Sequence, residues 1–197
     1  MDPSYYYNNQ SKPPFDIATL GDTQTSITCS QHVAKEKYPS HSRMGSSTFE
    51  EAAAMVKSGQ AKLLLVPGAY PAIGNFLMDE DLVLVKAFKK KIPALGFGNT
   101  LNDITAPLET IYHHAAVKSL LPKVPGYNSG TRFVASKSNK EAYEAMIKHG
   151  ERAGCVSNKI VFDYYCRPTL LTLRTERDMS WNVFAARRGI IKKGRRT

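Results

Sequence analysis

The sequence has 197 residues, 42% hydrophobic and 22% charged, which suits a globular chain with a sizeable core. No apolar run approaches the roughly 20 residues needed to span a bilayer, and three cysteines (Cys29, Cys155, Cys166) without CxxC or metal-ligand spacing read as reduced thiols. Six of the ten net positive charges (Arg187, Arg188, Lys192, Lys193, Arg195, Arg196) crowd the last eleven residues, leaving +4 elsewhere and arguing against a basic nucleic-acid-binding body.

Residues 1–14, with a Tyr triplet, three prolines and no amphipathic period, read as a loosely packed arm without the features of a signal peptide. A first strand is expected over Phe15–Leu20. Gly21 permits a tight turn, Thr23, Thr25 and Ser26 supply hydroxyls and an N-cap, and a helix follows through Ile27, Val33 and Ala34. A strand, hydroxyl-rich turn and helix N-terminus together suit an anion, although plain capping is the commoner use of such residues. Thr48 and Glu51 form a capping-box pair, and Ser58-Gly59 ends the helix they open.

The apolar run Leu63 to Val66 has the pattern of a strand buried on both faces. Pro67 stops it, and Gly68, Pro71 and Gly74 punctuate a loop that carries Tyr70 and ends in an apolar turn at 73–77. Such a strand-to-loop break is where α/β folds place ligand contacts. Residues 82–88 and 92–97 read as two strands parted by solvated Lys89, Lys90 and Lys91, then 107–111 as a short segment and 112–124 as a helix. Strand 131–135, helix 139–149, strand 153–156, helix 160–165 and strands 170–173 and 181–185 complete the pattern. The alternation runs twice, over about 15–98 and 107–175, with 179–187 returning to the first half and a basic tail at 188–197. The expected fold class is α/β, two similar lobes on parallel or mostly parallel sheets with a cleft between them.

Four stretches in order resemble the prephenate dehydratase family, whose catalytic domain is a two-lobed α/β fold like that of periplasmic binding proteins. TLGDTQTS at 19–26 is similar to its Gly-Pro-x-Gly-Thr-x-Ser signature, and STFEEAAAMVKSGQAKLLLVPGAY at 47–70 to its helix and strand before a Val-Pro loop. IYHHAAVKSLL at 111–121 resembles its Ser-His-Pro-Gln-Ala-Leu helix start, with His114 on the family's histidine, and AGCVSNKIVFDYY at 153–165 resembles a second-lobe segment. Met179-Ser180-Trp181 stands where the family has Thr-Arg-Phe, whose threonine is regarded as the acid that helps the ring hydroxyl leave. The triplet Thr131-Arg132-Phe133 lies mid-lobe and is treated as coincidence, and Ala69-Tyr70 replaces the family's Asn-Ser. These substitutions resemble a narrower group, the non-aromatising prephenate decarboxylases of the bacilysin and anticapsin pathways. That group carries Val-Pro-x-Ala-Tyr, Met-Ser-Trp-x-x-Phe and a Thr-Leu-Gly start. Gly68, where at least one member is expected to have histidine, and Asp22-Thr23-Gln24, in place of Pro-x-Gly, depart from it.

The resemblance implies a cytoplasmic lyase that decarboxylates prephenate, or a similar small dicarboxylate, to a dihydro-4-hydroxyphenylpyruvate for an antibiotic or other secondary-metabolite pathway. No cofactor, metal, membrane or nucleic-acid partner is expected; a homodimer is left open. Thr25, Ser26, Gly68 and Ala69 would bind carboxylates through hydroxyls and N–H groups. His114 reads as a carboxylate ligand, a proton donor or a structural histidine. Tyr70 reads as a proton donor, a holder of the ring hydroxyl, or a core or rim tyrosine. Ser180 and Trp181 would close the site, with Trp181 alternatively core. The competing readings are a dehydratase using another acid, a non-catalytic binding protein, and a nucleic-acid contact through the tail.

Overall fold

The computed structural model describes residues 13–23, 25–127 and 130–187. All but the last two residues of the arm expected at 1–14, and the whole basic tail at 188–197, lie outside the described residues. The chain divides into two compact units: the described residues up to Ser26, Ser30–Lys90 and Met179 onward form one, and Ile27–Cys29 with Lys91–Asp178 form the other. Among the described residues no helix is long and apolar enough to cross a membrane.

The first unit takes in β1 (Phe15–Leu20), nearly all of α1 (Cys29–Lys37), β2 (Arg43–Ser46), α2 (Phe49–Ser58), β3 (Ala61–Pro67), α3 (Ile73–Met78), most of β4 (Leu82–Ile92) and most of β10 (Arg177–Ala186). Its sheet has the order β2-β1-β3-β10-β4. β1 runs parallel to β2 and β3, and β10 runs antiparallel to β3. Leu63, Leu64, Leu65 and Val66 are all buried, as a central strand covered on both faces requires. α2 forms because its N-terminus is capped: Thr48 Oγ1 accepts the Glu51 N–H at 3.0 Å, and the Glu51 carboxylate accepts the Ser47 N–H at 2.9 Å. Its buried face, Phe49, Ala52, Ala53 and Val56, packs with Leu64, Val66 and Phe184.

The second unit holds β5 (Leu95–Asn99), β6 (Thr110–His114), a 3-10 helix (Ala115–Lys123), β7 (Arg132–Ser136), α4 (Asn139–His149), β8 (Ala153–Asn158), α5 (Lys159–Tyr164) and β9 (Leu171–Arg174). The sheet order is β7-β6-β8-β5-β9, with β6 parallel to β7 and β8, and β5 antiparallel to β8 and β9. The α/β class and two similar units are therefore present, on mixed rather than wholly parallel sheets.

Three local expectations need correction. Residues 110–114 are a strand, because Thr110, Ile111 and Tyr112 favour extended backbone. Only a 3-10 helix containing Pro122 follows, since proline cannot donate the bond that a longer α-helix needs. Lys89, Lys90 and Lys91 do not separate two strands but lie within the eleven-residue β4 at the edge of its sheet. Lys90 pairs with Glu36 at 2.9 Å, Lys37 lies 5.2 Å from the Phe88 ring centre, and charged side chains are a common protection of sheet edges. Finally, 95–99, which alternation assigns to the first half, pairs in the second sheet.

Asp16 pins the first sheet together: its carboxylate accepts from Lys62 Nζ at 2.6 Å and from the Ser42 N–H and hydroxyl at 2.9 Å each. Burial pushes this carboxyl up, but Lys62 and Ser42 outweigh it and hold Asp16 at about 2. Because the folded value lies below the unfolded one, the stabilisation is complete above pH ~4 and disappears as pH falls towards about 2. We expect Asp16→Asn to remove about 1–2 kcal/mol at neutral pH and to flatten the acid limb of stability, read by urea unfolding between pH 2 and 5. An unchanged acid limb would show that Asp16 is not the group responsible.

Candidate functional site

In the first unit the parallel strands β1, β2 and β3 end at one edge of the sheet, and antiparallel β10 begins there. Carboxyl edges of this kind are the usual ligand-binding side of open α/β sheets. Here the loop after β3 meets the start of β10. Trp181 stands opposite Pro67, and the Gly68 N–H donates to the Ser180 carbonyl at 2.7 Å. A Cβ at position 68 would lie 2.1 Å from Ser180 Oγ and 3.2 Å from Ser180 Cβ. Gly68 and Ser180 are thus a matched pair, and a side chain at 68 requires Ser180 to move.

The side chains at this edge are unevenly available. Ser180 and Ala69 are exposed, whereas Trp181 is fully buried with no hydrogen-bond partner for its Nε1 among the described residues. Trp181 is therefore interior, the core alternative its sequence left open. Tyr70 is half-buried, edge-on to Phe49 at 4.7 Å and stacked on Phe76 at 6.0 Å. Its hydroxyl donates to Glu50 Oε1 at 2.8 Å; burial, reinforced by that carboxylate, pushes the phenol up to about 12. A phenol so held is a weak acid at neutral pH. Glu50 is not legible as a site residue in sequence, since nothing local ties it to a tyrosine twenty residues on.

Thr25 and Ser26 do not cap a helix, because α1 begins only at Cys29. Thr25 Oγ1 donates to the Asp22 carboxylate at 3.0 Å, and Ser26 Oγ donates to the Thr23 carbonyl at 3.0 Å. Ser26 is buried and sits at φ 53, a left-handed backbone that the turn holds in place. An anion entering this turn would meet the Asp22 carboxylate, which opposes the anion-cradle reading on electrostatic grounds.

In the second unit His114 ends β6 and is half-buried. Burial and the adjacent His113 hold its imidazole below the ordinary range, against the opposing pull of Glu141. It is thus neutral at neutral pH, able to take up a proton when a carboxylate binds. A separate depression of about 360 Å3, lined by Gly96, Lys159, Asp163, Arg167, Thr169 and Thr172 among others, contains none of the residues singled out in the sequence. Among the described residues no group of three or more His, Cys, Asp or Glu side chains comes together as a metal site.

Neither a family model nor a curated protein matches the sequence. Solved structures do. A prephenate dehydratase from Arthrobacter aurescens in complex with L-Phe aligns over 86% of this chain and 60% of its own, with 11% identity and a TM-score of 0.64. GqqA, described as a quorum quenching acylase, aligns over 87% of this chain and 64% of its own, with 15% identity and a TM-score of 0.61. The methionine binding protein MetQ aligns over 88% and 83%, with 11% identity and a TM-score of 0.54. The chain spans less than two thirds of the length of the first two. At such identities the likeness concerns the fold, which is of the prephenate dehydratase and periplasmic-binding-protein kind.

The contact between position 68 and Ser180 gives a direct test. Gly68→Ala is expected to cost about 1–2 kcal/mol through overpacking, and Ser180→Ala in the same chain is expected to restore part of it. Equal denaturation midpoints for the parent and Gly68→Ala would mean that the two residues are not in contact.

Proposed function

We propose that the protein decarboxylates prephenate, or a closely similar dicarboxylate, without aromatising the ring, as a cytoplasmic carbon–carbon lyase of a secondary-metabolite pathway. The observation that carries this reading is the junction of Gly68 with Ser180, where two stretches distant in sequence, VPGAY and MSW, become neighbours at the carboxyl edge of the first sheet. In the reaction the bond between ring carbon and carboxylate breaks and carbon dioxide leaves. The electron pair enters the ring diene, a proton is delivered to a ring carbon, and the hydroxyl is retained. Aromatisation instead needs an acid at the hydroxyl. Among the described residues at this junction Ser180 is a weakly acidic alcohol, Met179 has no proton to give, and the Tyr70 hydroxyl is engaged by Glu50. His114 is assigned the role of a carboxylate ligand or proton carrier, and its neutral resting state suits a group that gains a proton as an anion binds.

A second reading, a non-catalytic binder of a small carboxylate, is favoured by the commitment of the Tyr70 and Thr25 hydroxyls to Glu50 and Asp22. Incubation with prephenate separates the readings. The proposal expects one carbon dioxide released per prephenate consumed and no phenylpyruvate absorbance in alkali. Phenylpyruvate would identify a dehydratase, and saturable binding without consumption would identify a binder. Met179→Thr, which returns a hydroxyl to the strand, is expected to raise the phenylpyruvate fraction.

A further inference from the structure

Arg174 is a cation of the second unit to which the sequence assigns no task. Arg174 ends β9, and it lies across Leu95 of β5 from Asn158, the last residue of β8. β9 and β8 both run antiparallel to β5, so Arg174, Asn158 and His114 all lie at the carboxyl ends of strands along one edge of the sheet.

The guanidinium is poorly satisfied. One Nη donates to the Pro93 carbonyl at 3.1 Å, while Nε is buried and has no hydrogen-bond partner. Among the described residues no carboxylate pairs with it, and the charged neighbour it feels besides the Cys29 thiol is another cation, Arg177. Cys29 does not neutralise it: burial pushes that thiol up, so it stays protonated. The Asn158 amide is fixed, with Nδ2 donating to the Ile27 carbonyl at 3.2 Å and lying 3.7 Å from Cys29 Sγ, and Oδ1 accepting the Val161 N–H at 2.9 Å. A partly desolvated guanidinium with a buried, unused N–H is costly unless something acidic completes it. Its planar fork matches a carboxylate bidentately.

We infer that Arg174 is the carboxylate anchor of the second unit, a binding residue for an organic acid that engages its unpartnered Nε–H and one Nη–H. The ligand class rests on the function proposed above; the place rests on the arginine's own surroundings. Malonate, an unreactive dicarboxylate, is the probe. In the protein labelled with 15N-arginine, malonate should shift the Arg174 Nε–Hε resonance saturably, with chloride at matched ionic strength having no such effect. Arg174→Gln should weaken malonate binding by roughly ten-fold or more, as loss of a charged hydrogen bond does. Arg174→Lys, which keeps the charge and the aliphatic stem, should keep the fold and lose most of the affinity with the fork, and Arg177→Gln should bind like the parent. A shift that grows without saturating, or parent-like affinity in Arg174→Gln or Arg174→Lys, overturns the anchor. The readout does not depend on turnover: saturable binding through Arg174 with prephenate left intact would sink the decarboxylation and leave the anchor standing.

Discussion

The antiparallel pairing of β10 with β3 is the constraint on which the first unit depends. It carries the chain from the second unit back into the first sheet, between β3 and the edge strand β4. It buries Trp181, Val183 and Phe184 against or beside the apolar run of β3. Its register also decides what neighbours what. With Trp181 opposite Pro67, the Gly68 N–H reaches the Ser180 carbonyl and the side-chain-free position 68 faces Ser180 Oγ. A slip of one residue would turn Ser180 to the opposite face and Trp181 out of the interior. The same pairing thus builds the core and composes the candidate site.

That double use explains what the sequence disclosed. Leu63 to Val66 announce a central strand because a strand covered on both faces must be apolar throughout. Thr48 with Glu51, and helix 139–149, follow from local capping and period, which nearby residues determine. The lysines at 89–91 of β4 and the histidines of β6 look like loop or helix residues until a sheet edge or a cross-strand partner is known. Sheet membership of 95–99 is a long-range choice that strand alternation cannot reveal.

At the site the limits are the same. Residue types and their order marked the 68–70 loop, His114 and 179–181, but hydrogen-bond partners decide what those residues can do. Tyr70 is a potential acid in sequence and a partner of Glu50 in the fold. Thr25 is an anion donor in sequence and a donor to Asp22 in the fold. Trp181 is a wall or core in sequence and core in the fold. What remains at the junction is a small, weakly acidic surface, and a reaction that must spare a ring hydroxyl asks for the absence of an acid there as much as for the presence of a ligand.

In the proposed reaction carbon dioxide is lost while the hydroxyl stays and a ring carbon takes the proton. This is tested most directly by running the reaction on prephenate in D2O and reading the product by proton and carbon NMR. The expected product is a non-aromatic ring with the carbinol C–H intact and one deuterium on a newly saturated ring carbon. An aromatic product without ring deuterium would contradict it.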